Sequence, residues 1–588
     1  MIPTRTVSTR TTCLTLGAIA ALALALRLWS LDYGLPGIFN MDEKPILDRA
    51  LTFAKGDPNP HNFLYPTLYF YALFVWEAAF FVVGRMVGWF GSLAAFQNAY
   101  FVDPSAHILA ARALTALAGT ATAAAAFLFG ARLYGRYVGL GAALFMAVAP
   151  LAVRDAHYVK LDVPVTLFAT LAHAWLALIV VDRRRAASRT SWLIAGLFAG
   201  LAISTQYYAA FLAVPFGATA IAMAATDAPR SGAWRRYAIL LLWAGLATVA
   251  AFAAASPFFF LEPTTVVRDF RELREVDIDR AVGAGLFSSL PAYLDILLHG
   301  AAGAPVFVLG LFGALASLAS DWRRGLLLVS FPLAFLAFVS NTFPATRYLN
   351  IVLPCLAVAA ACGAWRVAAL ARRRAPAAMA LVCVLAALPG ALDSARWDLF
   401  FGRDDTRMLA RAFIERNVPA NATVLVQPYS APIRQSRAAL VEALSARLGD
   451  PLNAPLKYRL QLAAASDSGT AYRVLYLGDS GKAQAPPGDV DKVYISARAV
   501  ARDGTLDPIR AAGITCVVLT RYGPTLPVFQ PLEAALRREA RQVAMFSPYR
   551  NGLAPEAAPV PPFRHNSNTW IHPVLERPGP IVEIWRLD

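Results

Sequence analysis

The chain has 588 residues, of which 57% are hydrophobic and 16% charged, with a formal net charge of +16. The apolar residues fall in blocks long enough to cross hydrocarbon, which places the chain among polytopic α-helical membrane proteins and excludes an ordinary soluble domain. The cations sit in short clusters beside those blocks, as the positive-inside rule requires, and this argues against nucleic acid as their partner.

In chain order, the first block, at about 12–30, follows Arg5 and Arg10 and reads as a retained anchor, because many spans follow it. A dozen residues later come Asp42 and Glu43, adjacent acids just outside a membrane, where a carboxylate can take a proton from a hydroxyl or hold a metal. The plain alternative is that acids collect on the outer face because cations are kept inside. The loop 55–62 carries Lys55 and His61 among Gly, Pro and Asn, whose turns are expected to bring it back toward Asp42. With Asp42, Glu43 and Asp162, His61 can supply some of the ligands of a divalent metal, although the chain has no HExxH or CxxC pattern.

The block 65–84 is apolar enough to span. If it crossed, however, every later basic connector would move to the outer side, so it is expected to lie along or dip into the outer leaflet. Further spans are expected at about 107–130, 137–153, 163–181, 191–205, 207–225, 237–256, 301–319, 325–340, 349–370 and 375–392, giving about eleven crossings. With the N-terminus inside, Arg132/Arg136, Arg183–Arg185, Arg230/Arg235/Arg236, Arg323/Arg324 and Arg372–Arg374 all fall inside. Loops 31–106 and 257–300 then share the outer face with the C-terminus.

Three outer-face groups carry candidate chemistry. Arg112 starts inside the second span and must pair with an anion or snorkel, as Arg27 is expected to do. Arg154, Asp155, His157, Lys160 and Asp162 crowd nine residues at the end of the third span, where the plain reading makes Asp162 a cap for the next helix. Arg347 and Tyr348 open the tenth span and can equally be an interfacial anchor. The sign-alternating run Asp269–Arg280 reads as a salt-bridged surface helix. There is no P-loop, dinucleotide fingerprint or nucleophile elbow.

From about Ser394 the long apolar blocks stop, and the pattern becomes that of an open α/β sheet. This sets a boundary between a membrane core, 1–393, and a C-terminal domain, 394–588. Strands are expected at Thr423–Gln427, Arg473–Leu477, Thr515–Thr520 and Ile581–Trp585, and helices at Asp405–Asn417, capped by Asp404, Ile433–Leu448 and Leu532–Gln542. The stretches 482–490 and 553–562 read as loops.

Met41-Asp42-Glu43, the segment Asn59–Tyr69, Ala111-Arg112-Ala113-Leu114 and the boundary His157…Asp162-Val163-Pro164 together resemble the bacterial family 39 glycosyltransferases. These are similar to protein O-mannosyltransferases and to the aminoarabinose transferases of lipid A. The resemblance implies a GT-C fold in a bacterial inner membrane and inverting transfer of a sugar from a polyprenyl-phosphate donor to a hydroxyl, lipid or glycan acceptor. It implies Asp42 as the base, with Glu43 beside it and Asp162 as a second acid near the site. Arg112, Lys160, Arg347 or a divalent metal are candidates to balance the departing phosphate. His61, Tyr65, His157, Gln206 and Tyr207 are candidate substrate contacts. The aminoarabinose transferases carry a lysine before Pro-Pro-Leu, where this chain has Tyr65 before Pro66-Thr67-Leu68, which departs from a lipid A enzyme. A transporter or flippase of polyprenyl-linked lipids, or a non-catalytic binding protein on the same core, is the alternative.

Overall fold

The computed structural model describes residues 9–587 apart from 228–231, 282–284, 466–469, 479–489, 498–503, 526, 551–552 and 554–556. All eleven hydrophobic blocks are helical. Eight lie in Thr9–Leu28, Ser105–Tyr134, Asp162–Val181, Tyr207–Thr226, Ala233–Ala255, Trp322–Val339, Thr346–Ala369 and the helix Ala375–Phe401, all long and apolar enough to cross a membrane. Two are shorter, Arg136–Ala147 and Arg189–Ile203, and the last, Ala304–Ser320, follows Leu290–Ala301 at a bend of 117°. Small residues let these helices approach closely: a Cβ on Gly196 would collide with the Ala244 carbonyl group, and one on Gly313 with that of Ala359. The bundle core is correspondingly rich in alanine, studded with Phe129, Met146, Trp192, Phe331 and Phe335.

The helix Leu68–Met86 also meets the length and hydropathy of a span. Tyr69 bonds Thr115 and Glu77 bonds His107, so the helix runs antiparallel to the start of Ser105–Tyr134, and its C-terminal half extends beyond that start. The next helix, Leu93–Val102, packs on Leu456–Ala464 of the C-terminal domain. The C-terminal end of Leu68–Met86 thus leads on to the C-terminal domain.

The C-terminal region holds a six-stranded sheet: β1 (Thr423–Val426), β2 (Arg473–Gly478), β3 (Val493–Ser496), β4 (Ile514–Arg521), β5 (Arg541–Phe546) and β6 (Ile581–Arg586), in the order β3-β2-β1-β4-β6-β5. The first four are parallel, and β6 runs antiparallel between β4 and β5. Alternation buries both faces, with Leu425, Leu475, Val517 and Trp585 on one and Val424, Val474, Val518 and Ile584 on the other. All four expected strands are present, and β3 and β5 are added to them. The expected helix over Leu532–Gln542 is instead Gln530–Glu539, and Arg541 and Gln542 open β5. Asp405, not Asp404, caps Thr406–Asn417, because its carboxylate accepts the Arg407 N–H. The helix expected from Ile433 starts at Arg437 behind a Ser436 cap. The expected loop 482–490 lies almost wholly outside the described residues, as do parts of 553–562.

The last membrane helix runs on to Phe401, past residue 393. Its Trp397, Phe400 and Phe401 join Tyr33 and Phe39 from the first loop, Tyr158 from the turn before Asp162–Val181, and Tyr549, Phe563 and Ile581 from the C-terminal domain in one apolar cluster. That cluster fixes the domain over the Asp42 face.

Candidate functional site

Asp42 and Glu43 have different fates. Glu43 is fully buried and takes both Nε and Nη2 of Arg112, at 2.8 and 2.9 Å, while the Val159 N–H bonds Oε1. The second Nη of Arg112 donates to the carbonyls of Leu31 and Tyr33. This pair bolts the start of the first loop to the second span. Arg112 therefore holds the loop, and its guanidinium is committed within the protein, contrary to its expected phosphate role. Arg27 is likewise no snorkeller. It is buried and donates to the carbonyls of Ala23, Met146 and Ala147.

Asp42 keeps 28% of its side chain exposed and pairs through Oδ2 with Arg347 Nη1 at 3.1 Å. The Asn566 amide, from the C-terminal domain, reaches the same oxygen at 3.5 Å. Asn566 also accepts from Lys160 Nζ at 2.7 Å, and its carbonyl accepts the Thr346 hydroxyl. Behind this row Arg154 binds Asp155, and Asn350 donates to the other Asp155 oxygen at 2.7 Å. Asp162 is 4% exposed, and its carboxylate accepts the Tyr208 hydroxyl at 2.9 Å rather than capping the helix it begins. Asp42, Arg347, Asp162 and Tyr65 lie within electrostatic reach of one another, and burial raises the Tyr65 phenol above its ordinary pKa.

The remaining expected residues are placed differently. His61 is exposed and pairs with Asp57 at 2.8 Å and Glu262 at 3.3 Å, so loop 55–62 is pinned to the second loop and not turned onto Asp42. The Asp57 bond raises the His61 pKa above its ordinary value. Each ring nitrogen of His157 faces a backbone carbonyl, of Val153 and Trp29, at 2.8 Å, which makes it a staple between spans. Tyr207 donates to the Phe63 carbonyl at 3.0 Å, and Gln206 lies half-buried just before it. Asp269 is 1% exposed and accepts the Phe63 N–H at 2.6 Å, which ties the start of the run to the first loop, while Arg271, Glu272, Arg274 and Glu275 are exposed on a helix as expected; side chains of that run from 276 on lie outside the described residues.

Among the described residues no three His, Cys, Asp or Glu side chains converge as a metal-ligand set. Asp42, Glu43, His61 and Asp162 do not fit as one, since two are held by different arginines and His61 is turned to Asp57 and Glu262.

Three neighbours were not apparent from the sequence. Tyr208 follows Tyr207 directly, but only the fold shows which tyrosine turns to Asp162. Asn566 comes from 524 residues away and has no local signal. Arg49 lies over Phe70 at 5.2 Å, close to Tyr65, and has no ion-pair partner among the described residues.

The bundle, the juxtamembrane helices of its first loop and the sheet domain seated on that loop make up a GT-C fold. The fold is similar to that of ArnT from Cupriavidus metallidurans in the apo state, with 14% identity over 91% of this chain and 97% of that one and a TM-score of 0.51. Within that class, residues 86–259 match the family model of dolichyl-phosphate-mannose-protein mannosyltransferases. The oligosaccharyltransferase AglB from Archaeoglobus fulgidus, in complex with an inhibitory peptide and a dolichol-phosphate, is also similar, at 12% identity over 87% of this chain and 69% of that one, with a TM-score of 0.47. No curated protein sequence matches the chain. The expected resemblance to GT-C family 39 proteins is thus borne out in the fold and, over residues 86–259, in the family match, and Asp42 lies outside that segment.

Proposed function

We propose that the chain is an inverting glycosyltransferase that moves a sugar from a polyprenyl-phosphate donor to a hydroxyl acceptor, on the membrane face opposite the arginine-rich connectors. The reading is supported by the family match, whose description names a dolichyl-phosphate sugar. The observation that carries it is the position of Asp42, a partly exposed carboxylate beside the half-buried Arg347 and Asn566, with the buried Lys160 behind Asn566.

Arg347 holds Oδ2 and so orients the carboxylate, which leaves Oδ1 to accept the proton of an acceptor hydroxyl. The acceptor oxygen forms its bond to the anomeric carbon from the face opposite the phosphate. The carbon–oxygen bond to phosphate breaks, and its electron pair leaves on the lipid phosphate. That growing charge needs fixed cations. Lys160 and Arg347 line the site. Asp162, held by Tyr208, orients the sugar or Arg347 from behind.

Asp42→Asn keeps size and hydrogen bonding but removes the proton acceptor. Release of polyprenyl phosphate from a polyprenyl-phosphate sugar by the purified variant is expected to fall by about two to four orders of magnitude. Near-normal turnover would remove the base assignment.

A further inference from the structure

The segment 560–572 has two faces. One is the underside already described, where Tyr158 donates to His565 Nδ1 at 2.8 Å, Asn566 bonds Lys160 and Asp42, and the Asn568 carbonyl accepts from Arg154. Its seat is close-packed, since a Cβ on Gly300 would meet the Thr569 backbone oxygen at 2.7 Å. The other face borders a cleft of about 380 Å³ lined by Arg564, Ser567, Asn568, Thr569, Trp570 and His572.

The chemistry of this cleft is amphipathic. Trp570 is 50% exposed, and its ring lies 5.2 Å from that of His572, so a large apolar platform is left open to solvent. Around it, the Ser567 and Thr569 hydroxyls and the Asn568 side-chain NH2 make no hydrogen bond among the described residues, while Asn568 Oδ1 is fixed by the Arg564 N–H at 2.8 Å. Arg564 is oriented by the Tyr522 ring at 5.4 Å. A flat aromatic face beside several uncommitted donors and acceptors complements a ligand with an apolar face and a polar edge. A pyranose is such a ligand: its axial C–H groups make one face apolar, and its hydroxyls ring the edge.

We propose that this cleft is a saccharide subsite for the acceptor, in which a sugar ring packs on Trp570 while Ser567, Asn568, Thr569 and Arg564 bond its hydroxyls. This rests on the transferase reading and deepens it: the acceptor is a glycan or the sugar portion of a glycolipid. The segment that grips one ring also presents Asn566 to Asp42, so recognition and the proton-accepting carboxylate are held in register by one stretch of chain.

The test reads binding, not turnover. Saturation-transfer NMR on the full-length protein in detergent would use the methyl glycosides of mannose, glucose and galactose and N-acetylglucosamine as probes. At least one is expected to show transfer to its ring C–H protons. That signal should fall about fivefold in Trp570→Ala, recover in part in Trp570→Phe, and persist in Asp42→Asn. If no probe shows transfer, if the signal survives Trp570→Ala, or if a serine- and threonine-bearing peptide binds there in place of the sugars, the proposal is overturned. Failure of the transferase reading is separate, because full turnover by Asp42→Asn sinks that reading and leaves the glycoside signal as it was.

Discussion

Glu43 and Asp42 are neighbours in sequence, yet Arg112 takes both oxygens of the first, and the second stays open beside Arg347. Removing one member of a buried pair such as Arg112–Glu43 leaves an uncompensated charge and costs about 3–5 kcal/mol, so substitutions there report on folding before chemistry. His565 gives a residue-scale prediction of a different kind. Burial first, and then the charges of Arg407, Lys160, Arg112 and Arg154, hold its pKa well below the ordinary histidine value, and its Nδ1 accepts from Tyr158. In the unfolded chain it gains a proton near pH ~6.5, whereas folded it does so only at lower pH. The stability it contributes is thus complete above pH ~6.5 and is lost as pH falls from there toward the lowered folded value. The thermal midpoint is expected to be lower at pH 5 than at pH 7, with a smaller difference in His565→Gln. Equal pH dependence of the two proteins would show that His565 is not the group that titrates.

At the scale of elements, hydropathy and the parity of the basic connectors give Leu68–Met86 different readings. Its composition is that of a span, but Glu77 finds His107 at the mouth of the next helix, and the chain beyond it meets the C-terminal domain. In a background without the five native cysteines, single cysteines at Ser92, Asp103 and Arg416 are expected to react with a membrane-impermeant thiol reagent from the same side. Reaction of the first two only after permeabilisation, with the third accessible directly, would mean that Leu68–Met86 crosses.

For the whole molecule, the sheet domain and the bundle share one apolar cluster and the polar row around Asn566. The sheet has buried side chains on both faces, so the fragment 403–588 is expected to unfold cooperatively. Cutting it away strips Trp397, Phe400 and Phe401 from Tyr549, Phe563 and Ile581. The fragment should therefore bind a hydrophobic dye that the full chain in detergent excludes at that face. A fragment without a cooperative transition would show that the sheet depends on the bundle.

Local pattern by itself determined the membrane class, the eleven helical blocks and four of the six described strands, and it singled out Asp42, Arg347 and Asp162 as candidates without choosing between a chemical and a structural role for them. These follow from hydropathy, charge placement and adjacent acids, which act over a few residues. β3 and β5 were missed because they are the two edge strands, β3 only four residues long and β5 opening directly after a helix whose pattern runs into it. Only the tertiary structure decided that Arg112 serves Glu43, that Tyr208 serves Asp162, and that Asn566 reaches Asp42 from the far end of the chain. Partner choice among buried charges depends on which side chains share a desolvated space, and that is set by packing between segments hundreds of residues apart.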